Sequence, residues 1–310
     1  MKFKHYKPNI LLTLAKKIAK HILPEKFFNK LRKISIELFW FYIYSDKNKK
    51  YKNSDLYVKN LKNLSGLEIG GPSWAWMSIV PVYHSIKKLD NIVTPYSKEK
   101  NETDHSKNLS TYRTGQILDV TSGWENAIEG RNSFNWFLFN KGDIYFQDAT
   151  ELNKIDDDKY DFVICSNVLE HIANPLKALH EFKRVIKING FIAIIVPYYK
   201  HTYDYKRPVT TIEHIREDFM NNVGEDDLTH LNEVIELTDQ SNVSQNAHPN
   251  PNFNKSEFEE ICRNNFHNRV MHHHVYDEDL LKSVALEAKL QIIDVNNFST
   301  SCIMLAKKLQ

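Results

Sequence analysis

The chain has 310 residues, 42% hydrophobic and 26% charged, enough for one large α/β domain with additions or for two modest ones. A net charge of only +2 argues against a nucleic-acid binder that uses its whole surface. Cys165, Cys262 and Cys302 lie far apart with no metal or redox spacing, which fits free thiols in a reducing, cytoplasmic compartment.

The charge is unevenly spread. Residues 1–45 hold ten Lys or Arg against Glu25 and Glu37, a local +8, which leaves −6 for the rest. Ile10, Leu11, Leu14, Ile18 and Ile22 line one helical face, and a second apolar run, Ile34 to Tyr44, is rich in aromatics. Neither run is long enough to span a membrane, and no small-residue cleavage site follows the first. Two readings of residues 1–50 stay open. One is a helical cap packed on the rest of the chain or on a partner subunit. The other is a basic amphipathic pair lying on an anionic membrane surface, which would put the protein at the inner membrane face. The lysine-rich stretch Lys47 to Asn53 then reads as a linker.

Residues 51–197 carry the strongest pattern. Gly66 to Gly70 reads as a first strand that runs into Gly71-Pro72-Ser73. Lys88-Leu89-Asp90-Asn91, about twenty residues later, reads as the end of a second strand, where the Asp90 carboxylate suits a ribose diol. Residues 94–142 are polar and read as an insertion. Asp143 to Phe146 is a short third strand, followed by Gln147-Asp148-Ala149-Thr150. Tyr160 to Cys165 and Phe191 to Val196 have the length and β-branched content of buried strands. Between them Leu176, Leu179, Phe182, Val185 and Ile186 recur at helical spacing, and Asn189-Gly190 supplies a helix stop. Strand, helix and strand make one unit of a parallel sheet, and such sheets bind ligands beyond the carboxyl ends of their strands. Ser166-Asn167 and Glu170-His171 follow directly on one such end.

Residues 198–278 hold eight of the fourteen histidines and read as a substrate-facing insertion. The segment after the fifth strand, YKHTYDYKRP, offers His201, Tyr203, Asp204 and Arg207, groups that grip a sugar or phosphate. His214, His230 and the run His272-His273-His274 add further polar candidates. No pair shows HExxH or CxxC spacing, so no metal is expected. Residues 279–310 close the fold with a helix at Asp279 to Ala288 and a strand pair at Gln291 to Val295 and Ser301 to Ala306.

LEIGGPS at 67–73, YDFVICSNVLEHI at 160–172 and FKRVIKINGFIAIIVP at 182–197 resemble the first-motif, fourth-strand and fifth-strand segments of the class I S-adenosylmethionine-dependent methyltransferases. The family usually alternates three glycines after an acidic residue, whereas Glu68-Ile69-Gly70-Gly71 runs here into Pro72-Ser73. The resemblance implies an α/β fold, a Rossmann-like, doubly wound, mostly parallel sheet, with S-adenosyl-L-methionine as cofactor. It would lie across Glu68, Gly70, Gly71, Ser73, Asp90, Asp148, Ala149, Ser166 and Asn167, with Asp148 in the adenine-contacting loop. A methyl sulfonium is already electrophilic, so a hydroxyl acceptor needs mainly alignment and one base. His171, His201 and His214 are the candidates. A variant first motif with a His-rich insertion resembles enzymes that tailor cell-surface polysaccharide. The expected reaction is therefore O-methylation of a small or glycan-like acceptor. A non-catalytic scaffold that keeps the fold is the alternative.

Overall fold

The segment Tyr160–Ser166 is apolar and buried along nearly its whole length, which a strand tolerates only when both faces of its sheet are covered. The computed structural model describes residues 50–73, 75–94, 133–137, 140–239 and 255–310. The basic segment 1–49, with the choice between helical cap and membrane-surface helices, lies outside these residues. No helix among the described residues is long and apolar enough to cross a membrane.

The strands are β1 (Ser65–Ile69), β2 (Lys88–Val93), β3 (Ser133–Phe137), β4 (Asn140–Phe146), β5 (Tyr160–Ser166), β6 (Ile186–Pro197), β7 (Gln291–Phe298) and β8 (Ser301–Lys307). They form one sheet in the order β3-β4-β2-β1-β5-β6-β8-β7. The five central strands from β4 to β6 are mutually parallel. β3 pairs antiparallel with β4 at one edge, and β8 runs antiparallel between β6 and β7 at the other. The chain reverses direction of winding between β1 and β5, so the carboxyl ends of those two strands flank the crevice where such sheets bind ligands.

Alternation along each strand divides the core. Val163, Cys165, Ile192 and Ile194 face one side, where α3 (Pro175–Val185) and α8 (Glu278–Glu287) cover them. Phe162, Ile164, Ala193 and Ile195 face the other, under α1 (Ser54–Leu61) and the short α2 (Ala75–Ser78) with its buried Trp76. The sheet is doubly wound.

β4 begins at Asn140 rather than Asp143, β7 runs to Phe298 rather than Val295, and two further differences from the sequence reading have a physical cause. α3 starts as its residues dictate, with Pro175 in the first turn and Asn174 accepting the Lys177 N–H at 3.0 Å. It does not run on to Asn189-Gly190. Ile186 is already extended and pairs with Tyr160, so strand pairing ends the helix four residues early. Asn189, not Gly190, takes the left-handed conformation (φ 67°). Gly190 is needed for space, because a Cβ there would lie 2.8 Å from the carbonyls of Asp161 and Lys187. The second difference is β3, an edge strand inside the stretch read as a plain insertion; residues 95–132 of that stretch lie outside the described ones.

Residues 198–278 contain α4 (Ile212–Met220), α5 (Leu231–Leu237), α6 (Lys255–Arg263) and α7 (Asn265–Asn268). Leu231, Val234, Ile235, Phe258, Cys262 and Met271 give α5 and α6 a small core of their own. The three cysteines are buried free thiols.

Candidate active site at the carboxyl ends of the strands

The loop after β1 is fixed from beneath. Gly70 has φ +74°, a conformation that favours glycine, and a Cβ on it would lie 2.6 Å from Cγ2 of Val168. A Cβ on Gly71 would lie 1.9 Å from the Glu68 carboxyl carbon. Glu68 therefore lies under the loop and is fully buried. Its carboxyl accepts the Ser73 N–H at 3.0 Å and the Tyr83 hydroxyl at 2.7 Å. Burial pushes Glu68 up to about 8 from an ordinary 4.5, against the opposing pull of Tyr83 and the Ser73 N–H. A carboxyl raised in the folded state stabilises the fold fully below about 4.5, and that contribution is lost as pH rises through about 8. Glu68→Gln stays neutral and keeps an acceptor. It is expected to flatten the fall in melting temperature between about pH 5 and about pH 9. An unchanged slope would show that Glu68 is not the group responsible.

Asn91 holds the same loop from the side, and sequence reading passed over it. It accepts the Gly71 N–H at 3.1 Å and donates to the Gly71 carbonyl at 2.5 Å, while fully buried. The available signal was a lone amide in the apolar run LDNIV. Asn91→Leu would leave both backbone groups buried and unpaired, at ~1–3 kcal/mol each. The expected result is a clear drop in melting temperature by calorimetry, and a shift under about 1 °C would count against the clamp.

Asp90 is placed differently from the expectation. It lies within β2, opposite Leu67, and not at the strand's carboxyl end. Its carboxylate accepts the Tyr160 hydroxyl at 2.8 Å and the Asp143 N–H at 2.9 Å, and pairs with Lys88 at 3.1 Å. Those partners hold it inside the sheet, so it is not set to meet a ribose. The strand ends at Val93, three residues further on.

Beyond β4, Asp148 accepts from the N–H and hydroxyl of Thr150 at 2.9 and 2.8 Å and from Arg269 at 2.8 Å. It lines a cavity of about 330 Å³ with Lys177, Glu225 and Arg269. Ala149 packs half-buried against the core. The Gln147 side chain accepts the Lys154 N–H, but its Nε2 is buried without a partner. At the end of β5, Ser166 Oγ is also buried and unpartnered, and Asn167 turns the chain with φ 52°.

The turn after β5 carries Glu170 and His171 into a dense polar group. His171 donates from Nδ1 to the Met271 carbonyl at 3.3 Å, and its Nε2 lies 3.9 Å from Glu170. The His272 ring stands edge-on to it, centroids 4.5 Å apart. His272 donates from Nδ1 to Asp204 at 2.5 Å and accepts the Tyr203 hydroxyl at Nε2, also at 2.5 Å. Arg207 donates to Asp204, to Glu233 and to the His272 carbonyl. Burial alone would raise Asp204, but His272 and Arg207 outweigh it and hold the carboxyl low. Glu170 is fully buried, with Oε2 unpartnered, and burial pushes it up to about 7.

The three candidate bases are thus separated. His171 joins Glu170 and His272. His201 is exposed on the turn after β6, against the Tyr198 ring. His214 lies in α4, its Nε2 2.9 Å from that of His230.

A family model described as a methyltransferase domain matches residues 129–194. No curated protein sequence matches the chain. Among solved structures the chain is similar to an S-adenosylmethionine-dependent methyltransferase of Aquifex aeolicus at 14% identity and TM-score 0.39, covering 83% of this chain and 89% of that one. A second, from Methanosarcina mazei, is 12% identical at TM-score 0.39, covering 82% and 97%. An O-methyltransferase family 2 protein of Planctomyces limnophilus, in complex with apigenin, is 10% identical at TM-score 0.38, covering 80% and 51%. The segment that the methyltransferase-domain model matches runs from β3 through β4, β5 and α3 into β6.

Proposed function

We propose that the protein transfers a methyl group from S-adenosylmethionine to a hydroxyl of a sugar or glycan-like acceptor, with His171 as the base. The observation that carries this reading is the acid–base group at the carboxyl end of β5. Val168 touches the glycine loop, and two residues later Glu170 and His171 meet His272. Bound S-adenosylmethionine supplies an electrophilic methyl sulfonium. The residues present suit it: Ser166 Oγ and Gln147 Nε2 are buried polar atoms in want of partners. Gly70, Gly71, Ser73, Ser166, Asn167 and Ala149 are the proposed cofactor contacts, with Glu68 and Asn91 as positioning residues beneath them. Asp148 keeps its proposed adenine role only where Arg269 shares it.

His171 takes the acceptor's proton at Nε2, because its Nδ1–H is committed to Met271. Glu170 stabilises the imidazolium that results. Tyr203, Asp204 and Arg207 form the wall behind them, and such polar walls suit a hydroxyl-rich acceptor better than an apolar one.

The test joins two measurements. Titration of the purified protein with S-adenosylmethionine in a calorimeter is expected to give saturable binding. A +14 mass shift is expected in a glycan acceptor incubated with protein and cofactor. Binding without methylation of any sugar acceptor would overturn the acceptor class; no heat at millimolar ligand would overturn the enzyme reading itself.

A further inference from the structure

We propose that His214, His230, His274 and Asp218 form a binding site for a divalent transition-metal ion of the zinc class. The four come from three separate segments. His214 and Asp218 lie one turn apart on α4, the i, i+4 spacing by which one helix face offers two ligands to one ion. His230 precedes α5, and His274 lies on the segment that leads to α8. One ligating nitrogen from each histidine falls within 4.8 Å of the others.

Hydrogen bonding alone does not account for the group. The Nε2 atoms of His214 and His230 face each other at 2.9 Å, so one must donate to the other. Asp218 Oδ2 stands 3.4 Å from His214 Nε2 and 3.7 Å from His274 Nε2, yet it has no hydrogen-bond partner, and the residue is only 7% exposed. His274 is 1% exposed; it donates from Nε2 to the Ala173 carbonyl at 3.1 Å, which leaves the lone pair on a buried Nδ1 that has no partner either. A buried polar atom left unpaired costs ~1–3 kcal/mol. A cation gives every one of these lone pairs an acceptor for its electrons.

The distances suit the ion as well. Tetrahedral bonds of ~2.0–2.1 Å put ligand atoms about 3.3 Å apart, close to the 2.9 Å between the Nε2 atoms of His214 and His230 and the 3.4 Å from His214 Nε2 to Asp218 Oδ2. Imidazole nitrogens with one carboxylate oxygen are a borderline-soft donor set, suited to zinc rather than to magnesium or calcium. The Ala173 carbonyl fixes the ring of His274, as outer partners of metal-bound histidines do. Four protein ligands leave no open position, so the ion would be structural, joining α4, the start of α5 and the strap before α8. The second histidine group, Glu170, His171 and His272, is less suited, because both nitrogens of His272 are already engaged.

The experiment uses the full chain without a histidine tag. It is stripped with a chelator, dialysed against zinc and then metal-free buffer, and assayed by elemental mass spectrometry. One zinc per chain is expected, with a higher melting temperature than the stripped form and the visible absorption of a tetrahedral complex when cobalt replaces zinc. His214→Gln and His230→Gln, both at half-buried positions, are each expected to weaken zinc binding about 100-fold or more. His171→Gln is expected to retain the metal. Zinc lost from His171→Gln instead, zinc kept by both His214→Gln and His230→Gln, or none bound by the unaltered chain would each overturn the proposal. None of these readings needs cofactor or acceptor, so they stand apart from the test of methyl transfer.

Discussion

Gly71→Ala is expected to abolish measurable S-adenosylmethionine binding and to lower the melting temperature by several degrees. The added methyl would lie 1.9 Å from Cδ, 2.2 Å from Oε2 and 2.4 Å from Cγ of Glu68. That carboxyl cannot swing away, because it is fully buried and pinned by Tyr83 and the Ser73 N–H. Nor can the loop lift freely, since Asn91 grips both sides of the Gly71 peptide. Overpacking of this kind costs ~1–3 kcal/mol, with ~2–4 °C of melting temperature for each kcal/mol. The double variant Glu68→Ala with Gly71→Ala removes the clash and should recover part of the loss, a coupling that a double-mutant cycle reads directly. Normal calorimetric binding together with an unshifted melting temperature in the single variant would refute the packing argument.

The second large effect concerns turnover. His171→Gln is expected to reduce the methylation rate by ~10²–10⁴ with little change in cofactor affinity. Glu170→Gln should act more mildly but change the pH profile. Glu170 sits near 7, ionised above that value and neutral below it. Its charge favours the imidazolium of His171, so the wild-type rate should climb as pH rises through about 7, and Glu170→Gln should lose that limb. A fall in rate confined to KM, or a Glu170→Gln profile identical to the wild type, would place the pair outside the chemistry.

The unit from Tyr160 to Pro197 was readable because its signals are local: two β-branched runs, a helical period, and Asn174-Pro175 to start the helix. Its one error, the helix stop at Asn189-Gly190, has a non-local cause. Ile186 pairs with Tyr160 across the sheet, and a turn-like dipeptide in sequence becomes a kink inside a strand. Asp90 misled for a related reason. Spacing from the glycines located β2 but not the strand's end, and an acidic residue inside a strand looks the same in sequence as one at its tip. Asn91, one position away, carries the contact with the loop. Glu68 was read as a ligand contact, whereas its burial and its distance to Gly71 make it a support. The polar group around His272 and the one around His274 draw on residues from 170 to 274, and no fixed spacing announces such a convergence.

The attachment of residues 198–278 bears on how an acceptor is admitted. The His273 N–H bonds the Glu170 carbonyl at 2.9 Å, Glu225 accepts the Ala173 N–H at 2.9 Å, and Asn174 donates to the Asp218 carbonyl at 3.0 Å. Peeling this region from the sheet would exchange these bonds for bonds to water, at a net ~0.5–1.5 kcal/mol apiece. These bonds favour the docked position of the region over an open one. An acceptor that entered from this side would meet a surface already docked on the sheet.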